Sequence, residues 1–142
     1  MTFPRAAGIL LHPTSLPGPG GIGDIGPEAH RFLDFLSDAG MKIWQMLPLG
    51  PTGYGDSPYQ CFSAFAGNPL LIHMPGAHGT FPAHTVDFAR VIPHKQALLR
   101  QAMGAFVADD RYRAFVGAQQ EWLEDYALFM ALKDAHNGAR WT

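Results

Sequence analysis

Apolar residues near the start of the chain come in two short runs, separated by a stretch where they recur with helical spacing. Gly8-Ile9-Leu10-Leu11-His12 is stopped by Pro13, a pattern that predicts a buried strand over residues 8–12. Pro27-Glu28 opens the next element, since proline suits the first helical position and an acid favours the first turn. Phe32, Leu33, Phe35, Leu36 and Ala39 then form one helical stripe, and Gly40 ends it. Ile43-Trp44-Gln45-Met46-Leu47 is the second apolar run, closed by Pro48, and predicts a strand over 42–47. A strand, a helix over 27–39 and a second strand make a βαβ unit, with parallel pairing and a right-handed crossover.

Residues 48–69 break the periodicity with four Pro and four Gly and almost no charge. They read as a long ordered loop leaving the carboxyl end of the second strand, which is where parallel α/β architectures bind ligands. From Lys95 onward the spacing is helical again, with Leu98, Leu99, Ala102, Met103 and Phe106 on one face. Tyr112, Phe115, Val116, Trp122, Leu123, Tyr126, Phe129 and Met130 continue the period. Gly117 marks a break and Asn137-Gly138 a stop.

Composition narrows the class. A length of 142 residues suits one ordinary domain, and 47% hydrophobic residues exclude wholesale disorder. Charged residues are 15%, against roughly 25% in an average soluble domain. With a net charge of −2, this argues against a coiled coil and against a nucleic-acid partner, whose phosphates need clustered Lys and Arg. Of the 28 Gly and Pro residues 23 fall in residues 1–79, and of the 22 charged residues 14 fall in 80–142. The first half therefore reads as short elements joined by shaped loops, the second as surface-bearing helices. A single Cys61 excludes an intrachain disulfide and fits a reducing compartment. The longest early apolar run, Ala6 to Leu11, is six residues, short of the roughly 7–15 of an export signal. A membrane span needs about 20, so no membrane partner is expected and the expected location is the cytoplasm.

Several motifs invite chemistry. The cluster Gly18-Pro19-Gly20-Gly21-Ile22-Gly23-Asp24-Ile25-Gly26 matches G-x-G-x-x-G twice. Its context does not fit a dinucleotide: Pro13 to Pro17 separate it from the strand, Pro27 removes an amide from the helix start, and no acid follows the second strand. A tight loop needing positive φ fits better. His73, His78, His84 and His94 have no spacing that aims two imidazoles at one ion, so no metal is expected. Cys61 has no activating neighbour in sequence, and Ser15, Ser57 and Ser63 lie in no nucleophile elbow. Tyr54-Gly55-Asp56-Ser57-Pro58-Tyr59-Gln60 places two rings, an acid, a hydroxyl and an amide on a stiffened loop. That inventory suits a sugar, with apolar ring faces and short polar groups for hydroxyls; it also suits a plain turn in which Asp56 bonds its own backbone.

Four blocks carry a resemblance. Arg5 to Pro19, Trp44 to Gln60, Ser63 to Ile72 and Trp122 to Lys133 are similar to the N-terminal part of the amylomaltases, bacterial 4-α-glucanotransferases related to plant disproportionating enzymes. The departures are Cys61 where serine is usual, His73 where aspartate is expected, a shortened stretch between Ile72 and Val86, and Ile92 where some members place an aromatic. The resemblance implies the first part of a (β/α)₈ barrel over 1–72, carrying the substrate loop 48–69, then a mainly helical insertion over 73–142. It implies retaining transfer of α-1,4-glucan segments to a sugar 4-hydroxyl, with no cofactor and with the catalytic acids supplied from beyond residue 142. Tyr54, Asp56, Ser57 and Tyr59 would line glucan subsites, and no catalytic residue is expected in this chain. Its partners would be α-1,4-glucans, maltooligosaccharides and the remainder of the barrel. A truncated glucan-binding or interaction module without catalysis is the alternative.

Overall fold

A computed structural model describes residues 4–76 and 79–139, with the side chain of Tyr54 outside that description. The elements in order are β1 (Gly8–Leu10), α1 (Pro27–Asp38), β2 (Ile43–Gln45), α2 (Phe88–Gly104), α3 (Asp110–Ala118) and α4 (Leu123–Ala135), with 3₁₀ turns at Pro13–Ser15, Tyr54–Asp56 and Pro69–Leu71. The chain divides into two compact units, Met1–Ala105 and Phe106–Thr142.

In the first unit β1 and β2 pair in parallel, Gly8 with Ile43, Ile9 with Trp44 and Leu10 with Gln45. The βαβ order expected from the apolar runs is therefore present, with α1 between the strands. Both strands are shorter than expected. Lys42 N–H to Ala7 and Leu11 N–H to Gln45 each extend the ladder by one bond, and then Pro13 and Pro48, which lack an N–H, end it. Nor are the strands buried: Gly8 and Leu10 are exposed and Ile9 is half-buried, because a sheet of two strands covers only part of either surface. The same narrow sheet limits α1. Ala29 and Leu36 are buried and the Phe32 ring meets Trp44 edge-on at 4.9 Å, while Leu33 and Phe35 of the expected stripe stay exposed.

The tightest core lies beside the sheet, where Ile22, Leu70 and Val91 are buried and Phe81, Val86, Phe88 and Ile92 pack around them. It forms because the glycine-rich loop folds closely on itself. Gly21 takes φ +77°, and a Cβ on Gly23 would lie 2.0 Å from the Pro13 carbonyl oxygen. Helix α2 begins at Phe88 rather than Lys95: Asp87 caps it by accepting from the Arg90 N–H, and Pro93 is accommodated within it. It ends at Gly104, so Phe106 lies outside it.

In the second unit α3 ends one residue after Gly117, and α4 ends before Asn137 and Gly138, which take φ +51° and +73°. Phe106 meets Tyr112 edge-on at 5.1 Å. No helix among the described residues is long and apolar enough to cross a membrane.

Candidate binding site at the carboxyl ends of the strands

Both strands run out into polar turns at the same end. After β1, His12 caps the 3₁₀ turn Pro13–Ser15 by accepting from the Thr14 N–H. After β2, the chain enters the loop 48–69, which closes on itself. Thr52 and Cys61 form an antiparallel bridge, Gly53 N–H donates to Gln60 at 2.8 Å and Phe62 N–H to Pro51 at 3.0 Å. At the root, Asn68 N–H donates to the Leu49 carbonyl at 2.8 Å. Gly50 is required here, since a Cβ would lie 2.9 Å from Cys61 Sγ and from the Ser63 carbonyl. The half-buried Cys61 thiol donates to the Pro58 carbonyl at 2.9 Å, which gives the thiol a local structural partner.

The tip of the loop is the 3₁₀ turn Tyr54–Asp56, in which Gly55 takes φ +70° and Asp56 φ +54°. Aspartate is among the few residues that tolerate the left-handed region, and here that backbone sets where its carboxylate emerges. Asp56 lines a pocket of about 230 Å³ between the loop and the end of β1. His12, Thr14, Ser15, Thr52 and Asn68 bring polar groups to the same pocket, while Leu47, Pro58 and Phe88 supply apolar wall. Its volume is below the roughly 300–1,000 Å³ of typical ligand pockets, the size of a part-site.

Of the four residues singled out from sequence, Asp56 stands in this pocket. Ser57 is half-buried, and its hydroxyl accepts from the Tyr59 N–H at 3.3 Å. Tyr59 is 71% exposed, on the same loop but outside the pocket lining, and the side chain of Tyr54 lies outside the described residues. Sequence reasoning did not single out His12, Thr14 or Asn68. The signal available was position: His12-Pro13-Thr14-Ser15 is a polar turn directly after a strand, at the end where α/β folds bind.

A charged cluster holds the turn that follows Asn68. Lys95 Nζ, almost fully buried, donates to the Leu70 carbonyl at 2.5 Å and to Asp24 Oδ2 at 3.3 Å. His73 Nδ1 lies 3.1 Å from Asp24 Oδ1. Burial pushes the Lys95 amine below its ordinary value, and the charge and hydrogen bond of Asp24 oppose that only in part. Among the described residues, no group of three or more His, Cys, Asp or Glu comes together to hold a metal ion; His78 lies outside them.

Comparison with known proteins adds four findings. Residues 11–142 match a family model described as 4-alpha-glucanotransferase. The chain is 50% identical over 160 residues to a 4-alpha-glucanotransferase of Thermus thermophilus, an alignment covering 99% of this chain and 31% of that protein. It is 37% identical over 159 residues to a chloroplastic or amyloplastic 4-alpha-glucanotransferase of Solanum tuberosum, covering 96% of this chain and 28% of that one. Among solved structures, an amylomaltase from Streptococcus agalactiae in complex with acarbose superposes with a TM-score of 0.81 at 36% identity, covering 96% of this chain and 31% of that chain. The chain thus spans about a third of the length of the relatives it matches.

Proposed function

The chain belongs to the 4-alpha-glucanotransferase family, and from that premise we propose that it is the N-terminal, substrate-positioning part of such an enzyme. In this reading residues 1–72 are the first units of a (β/α)₈ catalytic barrel and 73–142 a mainly helical insertion. The reaction is a retaining double displacement in the cytoplasm. One carboxylate attacks the anomeric carbon of an α-1,4-glucan while a second acid protonates the departing oxygen. The glucosyl-enzyme is then taken by the 4-hydroxyl of glucose or a maltooligosaccharide instead of by water. Those acids belong to later parts of the barrel, and this chain alone is inactive.

The observation that carries the proposal is the pocket holding Asp56, His12, Thr14 and Asn68 at the carboxyl ends of two parallel strands. Barrel enzymes build their sites at that end. Short polar groups there can bind sugar hydroxyls, and the exposed Tyr59 ring offers a face for a pyranose. An amylomaltase solved with acarbose supports a glucan as the ligand. Ser57 and Tyr54, on the same loop, belong to the same proposed surface.

The test has two arms. The natural protein carrying this segment, incubated with maltotriose, should release glucose and form longer glucans. The purified 142-residue chain should form neither, because retaining transfer needs two carboxyls about 5–5.5 Å apart across the bond. Disproportionation by the short chain, with contaminating enzyme excluded, would overturn the proposal that it only positions substrate.

A further inference from the structure

His12 is the one side chain of the pocket whose two ring nitrogens reach the two loops on either side of it. Nδ1 lies 2.7 Å from Thr14 Oγ1 and 3.4 Å from the Thr14 backbone nitrogen. Nε2 lies 3.4 Å from the carbonyl oxygen of Pro48, where the loop 48–69 leaves β2. The chemistry of these partners decides where the proton sits. A backbone N–H can only donate and a carbonyl oxygen can only accept. Nδ1 is therefore the bare nitrogen, taking the Thr14 N–H and hydroxyl, and Nε2 carries the hydrogen directed at Pro48.

We propose that His12 is a positioning residue for glucan binding. As the Nε2–H tautomer it ties the root of the loop 48–69 to the first turn after β1, and so fixes the width of the pocket that Asp56 and Thr14 both line. The proposal rests on the glucan reading above. The bond to Pro48 is long, so its role is alignment of two loops. Moving a polar group in a preorganised site by a fraction of an ångström is enough to weaken recognition. A hydrogen on Nδ1 would forfeit the bond accepted from the Thr14 N–H, so the arrangement calls for the Nε2–H tautomer.

Two substitutions separate the cap from the bridge. His12→Asn keeps an oxygen that can cap the Thr14 N–H, as asparagine does at helix starts, but is too short to reach Pro48. His12→Gln has an amide long enough to reach it. In the natural protein acting on maltotriose, His12→Asn should raise KM about 5-fold with kcat nearly unchanged, on the order of one lost hydrogen bond. Its thermal midpoint should stay near the parent's, and His12→Gln should recover most of the lost KM. Nitrogen-15 spectra of histidine-labelled parent should show His12 as the Nε2–H tautomer, a readout that needs no variant to fold.

A KM for His12→Asn within 2-fold of the parent's overturns the proposal, as does a His12→Gln variant no better than Asn, or an Nδ1–H tautomer. A parent that leaves maltotriose untouched fails the glucan reading, and this proposal with it. A parent that transfers normally while both variants match it fails this proposal alone.

Discussion

Lys95 Nζ and Asp24 Oδ2 pair across 3.3 Å, joining residues 71 positions apart in the chain, with the Lys95 side chain only 2% exposed. The pair connects three segments: the loop ahead of α1, the turn Pro69–Leu71, which also accepts the Ile25 N–H at the Leu71 carbonyl, and α2. It also makes chemical sense of His73. A carboxylate at that position, as the family resemblance leads one to expect, would face Asp24 with a second negative charge. The imidazole instead gives Asp24 a hydrogen-bond partner.

Lys95→Ala should destabilise the protein by about 2–5 kcal/mol, since it empties a buried site, leaves the Leu70 carbonyl without its donor and leaves Asp24 with His73 alone. Lys95→Met, which refills the volume, should cost less. The pH dependence has a definite sign. The Lys95 amine titrates below its ordinary 10.5 when folded, so between the two values the unfolded chain holds more protons. Stability contributed by Lys95 therefore rises with pH in that alkaline window. Urea midpoints at pH 8 and pH 10 should show the parent gaining on Lys95→Met, and a parent that loses ground would refute the assignment.

Gly23→Ala should be severe and Gly67→Ala mild. A Cβ on Gly23 would meet backbone atoms, Pro13 O at 2.0 Å, Leu16 O at 2.6 Å and Leu16 N at 2.8 Å, which cannot swing aside as a side chain can. At Gly67 nothing lies within 4 Å. Thermal unfolding should show a loss above roughly 2 kcal/mol for the first, and a change near ±0.5 kcal/mol for the second. Equal effects would mean that the glycine-rich loop is not tightly folded.

Asp56→Asn and Tyr59→Ala test the loop tip by different routes. Asparagine tolerates the left-handed backbone at position 56, so the substitution removes charge without straining the turn. Tyr59→Ala removes an exposed ring that packs little. In the natural protein each should lower kcat/KM for maltotriose roughly 10-fold, the effect of about 1.4 kcal/mol, while the thermal midpoint stays near the parent's. Kinetics unchanged in Tyr59→Ala would assign the ring to no subsite.

The legible parts were those in which neighbours in sequence decide the outcome. Pro13, Pro27, Gly40 and Pro48 punctuate the first 50 residues so firmly that the strand, helix, strand order and its parallel pairing follow from them. The helical spacing from Lys95 does not reveal the start of α2, because Pro93 suggests an interruption, whereas the capping Asp87 lies eight residues before Lys95. Leu10, Leu33 and Phe35 are exposed against expectation, since apolar spacing identifies a face but not whether anything covers it. Asp56 could be singled out on its own loop. Its companions His12 and Asn68 arrive from opposite ends of the βαβ unit and its loop, so their meeting is a product of topology. The Lys95–Asp24 pair likewise left no local pattern.

The isolated 142-residue chain should be poorly stable in solution. Its sheet has two strands of three paired residues each, and a two-stranded sheet is marginal on its own. Leu10 is 56% exposed and Ile43 46%, and both strand edges lack further partners among the described residues. Each such side chain forgoes part of the roughly 1.5–3 kcal/mol that full burial supplies, a sum that matters against a domain stability of about 5–15 kcal/mol. Unpaired edges flanked by apolar residues also recruit other chains. The isolated 142-residue chain should therefore elute as a mixture of oligomers in sizing chromatography and unfold over a broad temperature range. A longer protein that supplies the remaining members of a barrel sheet should suppress both effects. A monodisperse monomer with a sharp transition near about 60 °C, ordinary for a mesophilic domain, would mean that this chain closes its own core, and the proposal that it is part of a larger barrel would fall.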